Sequence, residues 1–312
     1  MTIAKIPDIK VPVDFPLDKE NEEKVQRISV IALDKKIGKK IPILNKGFIR
    51  LIDYMGDDSS ITQSARVSYG QGKKSSSQDA GLIDFLIRHK HTSPLEMCEI
   101  KFHVKMPIFV ARQWLRHRTA SINELSARYS VITDDFFIPD SCDVRKQSLQ
   151  NKQGRENKLA EEDTKEILGK VETVCNDSFD VYKNLIDKGL TREISRSILP
   201  QGTYTEFYWK IDLHNLLHFI KLRIHTSAQK EIRAYAEVIL ENFVKHWVPM
   251  VYKSFVNHII KGEAFSQNQM LELIKLLDEK KVEKFINKKV DAVGEERELI
   301  NTLKTLLPIS KN

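Results

Sequence analysis

Apolar and polar positions between residues 46 and 262 fall into two repeating periods. Ile100, Phe102, Val104 and Met106 alternate with Glu99, Lys101, His103 and Lys105, which predicts a half-buried strand. Upstream, Phe48, Leu51 and Ile52 lead to the polar turn Gly56-Asp57-Asp58, a short helix is expected over 61–68, and a loop over 70–77. Leu82, Ile83, Leu86 and Ile87 then mark a helical face. Downstream, Pro107 suits the first position of a helix carrying Ile108, Phe109, Ala111, Trp114 and Leu115 inward and ending in Arg116-His117-Arg118. A polar loop is expected to Tyr129, then a long charged helix over 156–188 stopped by Gly189, and a short helix capped by Thr191. Tyr204 to Trp209 reads as a strand. Asp212 caps a helix that buries Leu213, Leu216, Leu217 and Ile220 and turns His214, His218, Lys221 and His225 outward. A further helix is expected over 228–246.

Strands and helices without a regular strand-helix-strand rhythm predict an α+β fold, a mixed or antiparallel sheet packed with helices. Residues 1–45, with Pro7, Pro12 and Pro16 and weak periodicity, read as an N-terminal extension wrapped on the main body; 46–262 as that main body; and 263–312 as a C-terminal extension of two or three lysine- and leucine-rich helices. Apolar residues are 41% and charged residues 30% of the 312, which excludes collagen-like, disordered and disulfide-stapled classes. No uncharged apolar run reaches bilayer length and the first residues do not resemble a signal peptide, so a cytoplasmic protein with no membrane partner is expected. A net charge of +7 favours anionic partners. The cysteines, Cys98, Cys142 and Cys175, are far apart and outside the polar clusters, and read as reduced packing residues.

Phosphate-binding glycine loops, the H-E-x-x-H zinc motif and the G-x-S-x-G elbow are absent from the sequence. His214 and His218 lie one helical turn apart, but no acidic or cysteine partner is near, so no metal is expected. The densest polar run spans Arg112 to Tyr129. Its arginines must face water, carboxylates or an anion, because unpaired buried charges are costly. Guanidinium forks grip phosphates bidentately, so converging arginines suit a nucleotide, with Glu124 reading a hydroxyl or balancing charge. Ser121 and Glu124 equally fit a capping box, with the arginines a solvated helix end. Ser126 has no histidine-carboxylate relay in view and reads as a hydrogen-bonding hydroxyl.

Arg116-His117-Arg118, with Ser126 eight positions after Arg118, resembles the signature of the flavin-dependent thymidylate synthases. The likeness continues through Ala65 to Tyr69, His91-Thr92-Ser93-Pro94-Leu95-Glu96, Phe102-His103-Val104, Pro107 to Trp114, Arg196 to Pro200, Tyr204-Thr205, His218-Phe219, Leu222-Arg223, Ala228-Gln229 and Glu231-Ile232. It covers roughly 46–262. It implies a homotetramer that binds FAD between subunits and makes dTMP from dUMP, with methylenetetrahydrofolate as carbon donor and NADPH as reductant. In such enzymes no cysteine need attack the pyrimidine. The protein's task is then to bind, orient and tune charge.

The resemblance also assigns residues. Gln113, Trp114, Leu115, Arg116, Glu124, Leu125, Ser126, Ala127, Arg128 and Arg196 would surround dUMP, with Ser126, Arg128 and Arg196 near its phosphate. Arg223 would be catalytic, its guanidinium stabilising negative charge on the uracil ring. FAD would lie against Ser68, His91, Ser93, Arg116, His117, Arg118 and Glu124, and against Asp212, Leu213, His214 and His218 of another subunit. His91 would sit near the open flavin face, where folate and NADPH must take turns. Three positions depart from the family's usual pattern: Ser227 stands where many members have histidine, His225 replaces an acid, and Ser93 replaces threonine. The alternatives are a nucleic-acid-binding module, suggested by arginines interleaved with Trp114 and Tyr129, and a catalytically degenerate homologue.

Overall fold

The computed structural model describes residues 27–67, 76–289 and 291–307. The chain begins with a one-turn helix α1 (Ile31–Asp34), the hairpin β1 (Lys40–Ile43) and β2 (Gly47–Met55), and helices α2 (Asp58–Val67) and α3 (Ser76–Arg88). The alternating run forms β3 (Glu99–Pro107), which passes directly into α4 (Ile108–Trp114) and on to β4 (Ser121–Glu124). A separate hairpin, β5 (Arg145–Gln147) and β6 (Arg155–Lys158), precedes the long α5 (Glu161–Asp187), the one-turn α6 (Arg192–Ser195), β7 (Tyr204–Asp212) and α7 (Leu213–Arg223). Helix α8 (Lys230–Ile239), a π-helical turn over 240–244, α9 (Lys245–Trp247) and α10 (Pro249–Phe255) follow almost without break. Helices α11 (Gln267–Lys275), α12 (Glu279–Lys288) and α13 (Gly294–Leu306) come last.

Strands β1, β2, β3, β7 and β4 form a five-stranded antiparallel sheet in that order, in keeping with the expected α+β class. The period-two pattern explains which face is covered. Phe102 and Val104 of β3 lie opposite Trp209 and Phe207 of β7, and all four are buried against the helices. Trp114 at the end of α4 joins them, its ring 4.8 Å from that of Trp209 and 4.4 Å from that of Phe219 on α7. The opposite face is polar: Arg50 donates to His103 Nδ1 at 2.6 Å, His103 Nε2 donates to Glu206 at 2.9 Å, and Lys105 donates to Asp135 at 2.6 Å. Gly47 lets β2 pass beneath Tyr235, since a Cβ there would meet the phenol oxygen at 2.1 Å.

Several elements differ from the sequence expectation. The long helix starts at Glu161, not Glu156, because Arg155–Lys158 pairs with β5 and Glu156 accepts a hydrogen bond from Ser148 Oγ at 2.7 Å. Ser121 and Glu124 form no capping box: they are the ends of β4, paired with Lys210 and Phe207. Pro107 is the extended residue before α4, with ψ 145°, and not its first turn. Leu33 and Ile43, which fall within the expected N-terminal extension, belong to the same core as the sheet. The Ala228–His246 helix is interrupted by the π turn. The expected loop over 70–77 lies outside the described residues up to 75. Among the described residues no helix is long and apolar enough to cross a membrane.

Two side chains fasten α9 and α10 to the first residue of α2 and to the turn before it. Trp247 Nε1 donates to Gly56 O at 2.7 Å, and the Asp58 carboxylate accepts from the backbone N–H groups of Met250 (2.9 Å) and Val251 (3.2 Å) at the start of α10. Burial pushes the Asp58 carboxyl up to about 6, outweighing those two hydrogen bonds. Because the folded form holds its proton more tightly than the unfolded chain, this contribution is full below about pH 4 and is lost as pH rises through about 6. Asp58→Asn should therefore lack a fall of ~2–3 kcal/mol in stability over that window, read as the difference between wild-type and variant urea midpoints at each pH.

Candidate functional site

The end of α4, strand β4 and helix α7 build the site around the buried Trp114. Because the indole is fixed against Trp209 and Phe219, the residues on either side of it are set against α7. Arg223, in the last turn of α7, donates from Nε to His117 Nε2 at 2.9 Å and from Nη2 to the carbonyl of Gln113 at 3.1 Å. The Gln113 side-chain amide is in turn hydrogen-bonded to Gln229 just before α8. An arginine Nε always carries hydrogen, so His117 must offer a lone pair at Nε2 and carry its proton on Nδ1. Burial, then the Arg223 charge and then His218 push the His117 imidazole down to about 4. Burial also lowers the Arg223 pKa, and a guanidinium remains charged at neutral pH. Two of its N–H groups are used within the protein, and the rest of the fork is open to an acceptor.

Four of the expected arginines are exposed. Among the described residues the Arg116, Arg118 and Arg196 side chains make no hydrogen bond or ion pair, and Arg128 lies only over the Tyr129 ring, 5.5 Å from its centroid. Arg128 and Tyr129 also line an open cleft of about 530 Å³ with Gly189, Leu190, Thr191 and Arg192. Arg192 donates to the Tyr129 carbonyl at 3.1 Å and was not singled out from the sequence, where its one signal is a cation placed just after the Gly189 helix stop. Glu124 is exposed at the end of β4 and accepts from Thr205 Oγ1 at 2.6 Å. The partly buried Ser126 accepts at Oγ from Arg128 N at 3.4 Å, and Leu125 is exposed, its N–H tied to Glu206 O at 2.9 Å. No histidine or carboxylate approaches Ser126 in the described residues.

The remaining expected residues fall into distinct places. Trp114 and Leu213 are fully buried, so their side chains belong to the core and only their main chain can face a ligand. Leu115 is exposed, and Ala127 packs on a second apolar cluster formed by Ile132, Phe136, Cys175, Phe179 and Tyr182. Asp212 caps α7, accepting from Asn215 N at 2.9 Å and Asn215 Nδ2 at 2.8 Å. His218 is exposed, 6.1 Å from the His117 ring, and His214 is half-buried one turn before it. His91 and Ser93 are exposed, and the chain after them is tied to α7 where Leu213 N donates to Cys98 O at 2.8 Å. Ser68 lies outside the described residues. Two of the three departures from the family pattern face each other: the Ser227 hydroxyl lies 2.6 Å from His225 Nδ1.

Cysteine chemistry finds no support in this arrangement. Burial pushes the Cys98 thiol up to about 12, and its Sγ lies 3.5 Å from Asp57 O. Burial also raises Cys175, and Cys142 is exposed away from these elements. His214 and His218 gain no third metal ligand among the described residues. One group of potential ligands does occur, exposed Asp140 and Cys142 with half-buried Asp143, and there Lys230 already pairs with Asp143 at 2.6 Å.

The His117 contact makes a measurable claim. By nitrogen NMR, His117 should remain the neutral Nδ1–H tautomer down to about pH 4. Arg223→Ala should raise its pKa toward the ordinary histidine value by removing the adjacent charge. An unchanged titration in the variant would show that the guanidinium does not govern the imidazole.

Comparison with known proteins places the chain in a family. The sequence model described as Thymidylate synthase complementing protein matches residues 50–250. The flavin-dependent thymidylate synthase of Ehrlichia ruminantium (strain Gardel) is 51% identical over 255 residues, 82% of this chain and 86% of that one. A Thermus thermophilus enzyme of the same name is 51% identical over 247 residues, 79% of this chain and 89% of its own. A crystal structure of the UMP/dUMP methylase PolB from Streptomyces cacaoi bound with 5-Br dUMP superposes with a TM-score of 0.64 at 29% identity, covering 70% of this chain and 98% of that one. With the family model matching residues 50–250, and about half of all aligned positions shared with the two synthases over most of the chain, the protein belongs to the flavin-dependent thymidylate synthase family.

Proposed function

We propose that this protein converts dUMP to dTMP, taking the carbon from methylenetetrahydrofolate and reducing equivalents from NADPH by way of bound FAD. The observation that carries the reading is the Arg223 fork: a half-buried guanidinium held from behind by a neutral imidazole and a carbonyl, with its remaining donors free. Against a uracil carbonyl such donors stabilise negative charge that develops on the ring and make it a better nucleophile toward the incoming carbon. Because His117 is neutral, it orients the arginine without competing for the substrate's charge.

The exposed arginines supply the binding. Arg128 and Arg196, with the Ser126 hydroxyl, hold the dUMP phosphate, while Gln113, Leu115, Arg116, Glu124, Leu125 and Ala127 and the main chain at Trp114 frame the nucleoside. The donor set also fits FAD: unpartnered Arg116 and Arg118 suit its diphosphate, and His91, Ser93, His117 and Glu124, with Ser68, border it on one protomer. Asp212, the main chain at Leu213, His214 and His218 border it on another. When bound, the flavin supplies the hydride. So many charged ligand groups on open faces of one chain suit a site completed by a neighbouring subunit, and a homotetramer is the proposed assembly. Residues 46–262 form the proposed catalytic domain, and the cytoplasm, where nucleotide, folate and NADPH meet, is its compartment.

The pure protein should absorb as a flavoprotein and bleach when NADPH is added with dUMP. It should release tritium from 5-tritiated dUMP, which a nucleic-acid-binding module or a degenerate homologue cannot do. Arg223→Ala should lower dTMP formation about 100-fold or more while keeping flavin, and wild-type turnover would remove it from the mechanism. Arg128→Ala should raise the KM for dUMP about tenfold or more, the loss of one charge-assisted contact. The Cys98→Ser, Cys142→Ser and Cys175→Ser variants should all turn over.

A further inference from the structure

We propose that Glu298, on the C-terminal helix α13, is a positioning residue for the flavin-side co-substrate pocket: its carboxylate bridges Arg88 and His89 and fixes the turn that presents His91. The inference rests on the reading above in which His91 borders the flavin, and it gives the segment after 262, outside the matched family region of 50–250, a part in the reaction.

The turn itself is tight. Helix α3 ends with Lys90 N donating to Ile87 O at 3.3 Å and His91 N to Leu86 O at 2.9 Å, the pattern of a Schellman cap. Its left-handed position, φ 57°, is taken by Lys90, where glycine would be at ease and lysine must be held. Aromatic contacts pass along the same turn: the Phe85 ring lies 4.3 Å from His89 and 5.6 Å from His91, and the two imidazoles are 6.5 Å apart.

Charged groups brace that turn from two sides. On the domain side, Arg88 Nε donates to Asp84 at 2.9 Å, and the other Asp84 oxygen accepts from Ser254 Oγ on α10 and from His258 Nε2, each at 2.7 Å. On the extension side, Glu298 pairs through one oxygen with Arg88 and through the other with His89 Nε2 at 3.1 Å. Glu295, one turn earlier on α13, lies 3.9 Å from His258 Nδ1. The apolar residues Ile286 and Ile300, buried on α12 and α13, are not part of the main core. Charge therefore has a large share in docking α13 on α3, and Glu298 is the carboxylate that joins the helix to the imidazole beside His91. The Glu298 side chain is 46% exposed, which leaves its ion pairs open to screening by salt.

Full-length, FAD-loaded Glu298→Gln tests the assignment. It should raise the KM values for methylenetetrahydrofolate and NADPH about three- to tenfold, with kcat, the dUMP KM and the flavin content near wild type. Added salt should raise the same two KM values more steeply in the wild type than in the variant, where only the attraction of the anionic co-substrates remains to be screened. Glu298→Asp, too short to reach both partners, should fall between. Unchanged co-substrate KM values, or a lowered melting temperature with unaltered kinetics, would overturn the proposal. His91→Ala, measured in parallel, separates the two readings. If it raises the KM values and Glu298→Gln does not, Glu298 has no positioning role; if neither variant moves them, the placement of His91 falls and the proposal with it.

Discussion

Trp114 is the contact on which the site's geometry depends. Its ring packs on Trp209 of the sheet and on Phe219 of α7, so it joins the two parts of the chain that carry Arg116-His117-Arg118 and Arg223. Fully burying an aromatic ring of this size and adding such edge contacts contributes several kcal/mol, far more than any one surface ion pair. The polar site therefore inherits its rigidity from an apolar junction directly beneath it. His117 rests on that junction too, its ring 4.8 Å from Phe219.

The electrostatics are divided in the same way. Where the guanidinium is half-buried, it has neutral acceptors, an imidazole and a carbonyl, so its charge is oriented but not cancelled. A carboxylate in either place would hold the arginine more strongly and leave less of its field for a bound pyrimidine. Where the arginines are exposed, water carries the cost of their charge until an anion arrives. Lys105 shows the contrast: on the polar face of the sheet it is matched by Asp135 and Glu206, an arrangement that serves packing.

Strand β3 and the Asp212 cap of α7 were legible in the sequence because each has a local cause, strict alternation in one and a carboxylate three residues before an amide in the other. Strands β4 and β6 were not. Ser121–Glu124 and Arg155–Lys158 are short, mostly exposed and polar, and what makes them strands is a partner elsewhere in the chain. The same limit applies to the site. Family likeness named Arg223 and His117, but their hydrogen bond spans 106 positions and leaves no local pattern. Nor did the spacing of Trp114 separate its indole, which is core, from the arginine two residues later, which is exposed. The charged bridge from α13 to α3 lay in a segment where lysines and glutamates recur so often that no one of them stands out.

The π-helical turn over 240–244 inserts one residue's worth of backbone into an otherwise continuous run of helix. Each residue advances a helix by about 100°, so the insertion resets the rotational phase of everything after it. It is this phase that aims the Trp247 indole at Gly56 O and brings the first amides of α10 onto Asp58. A descendant lineage that deleted one residue there would gain a more regular helix and lose both fastenings at once, so length at this point is under a constraint that substitution alone would not reveal.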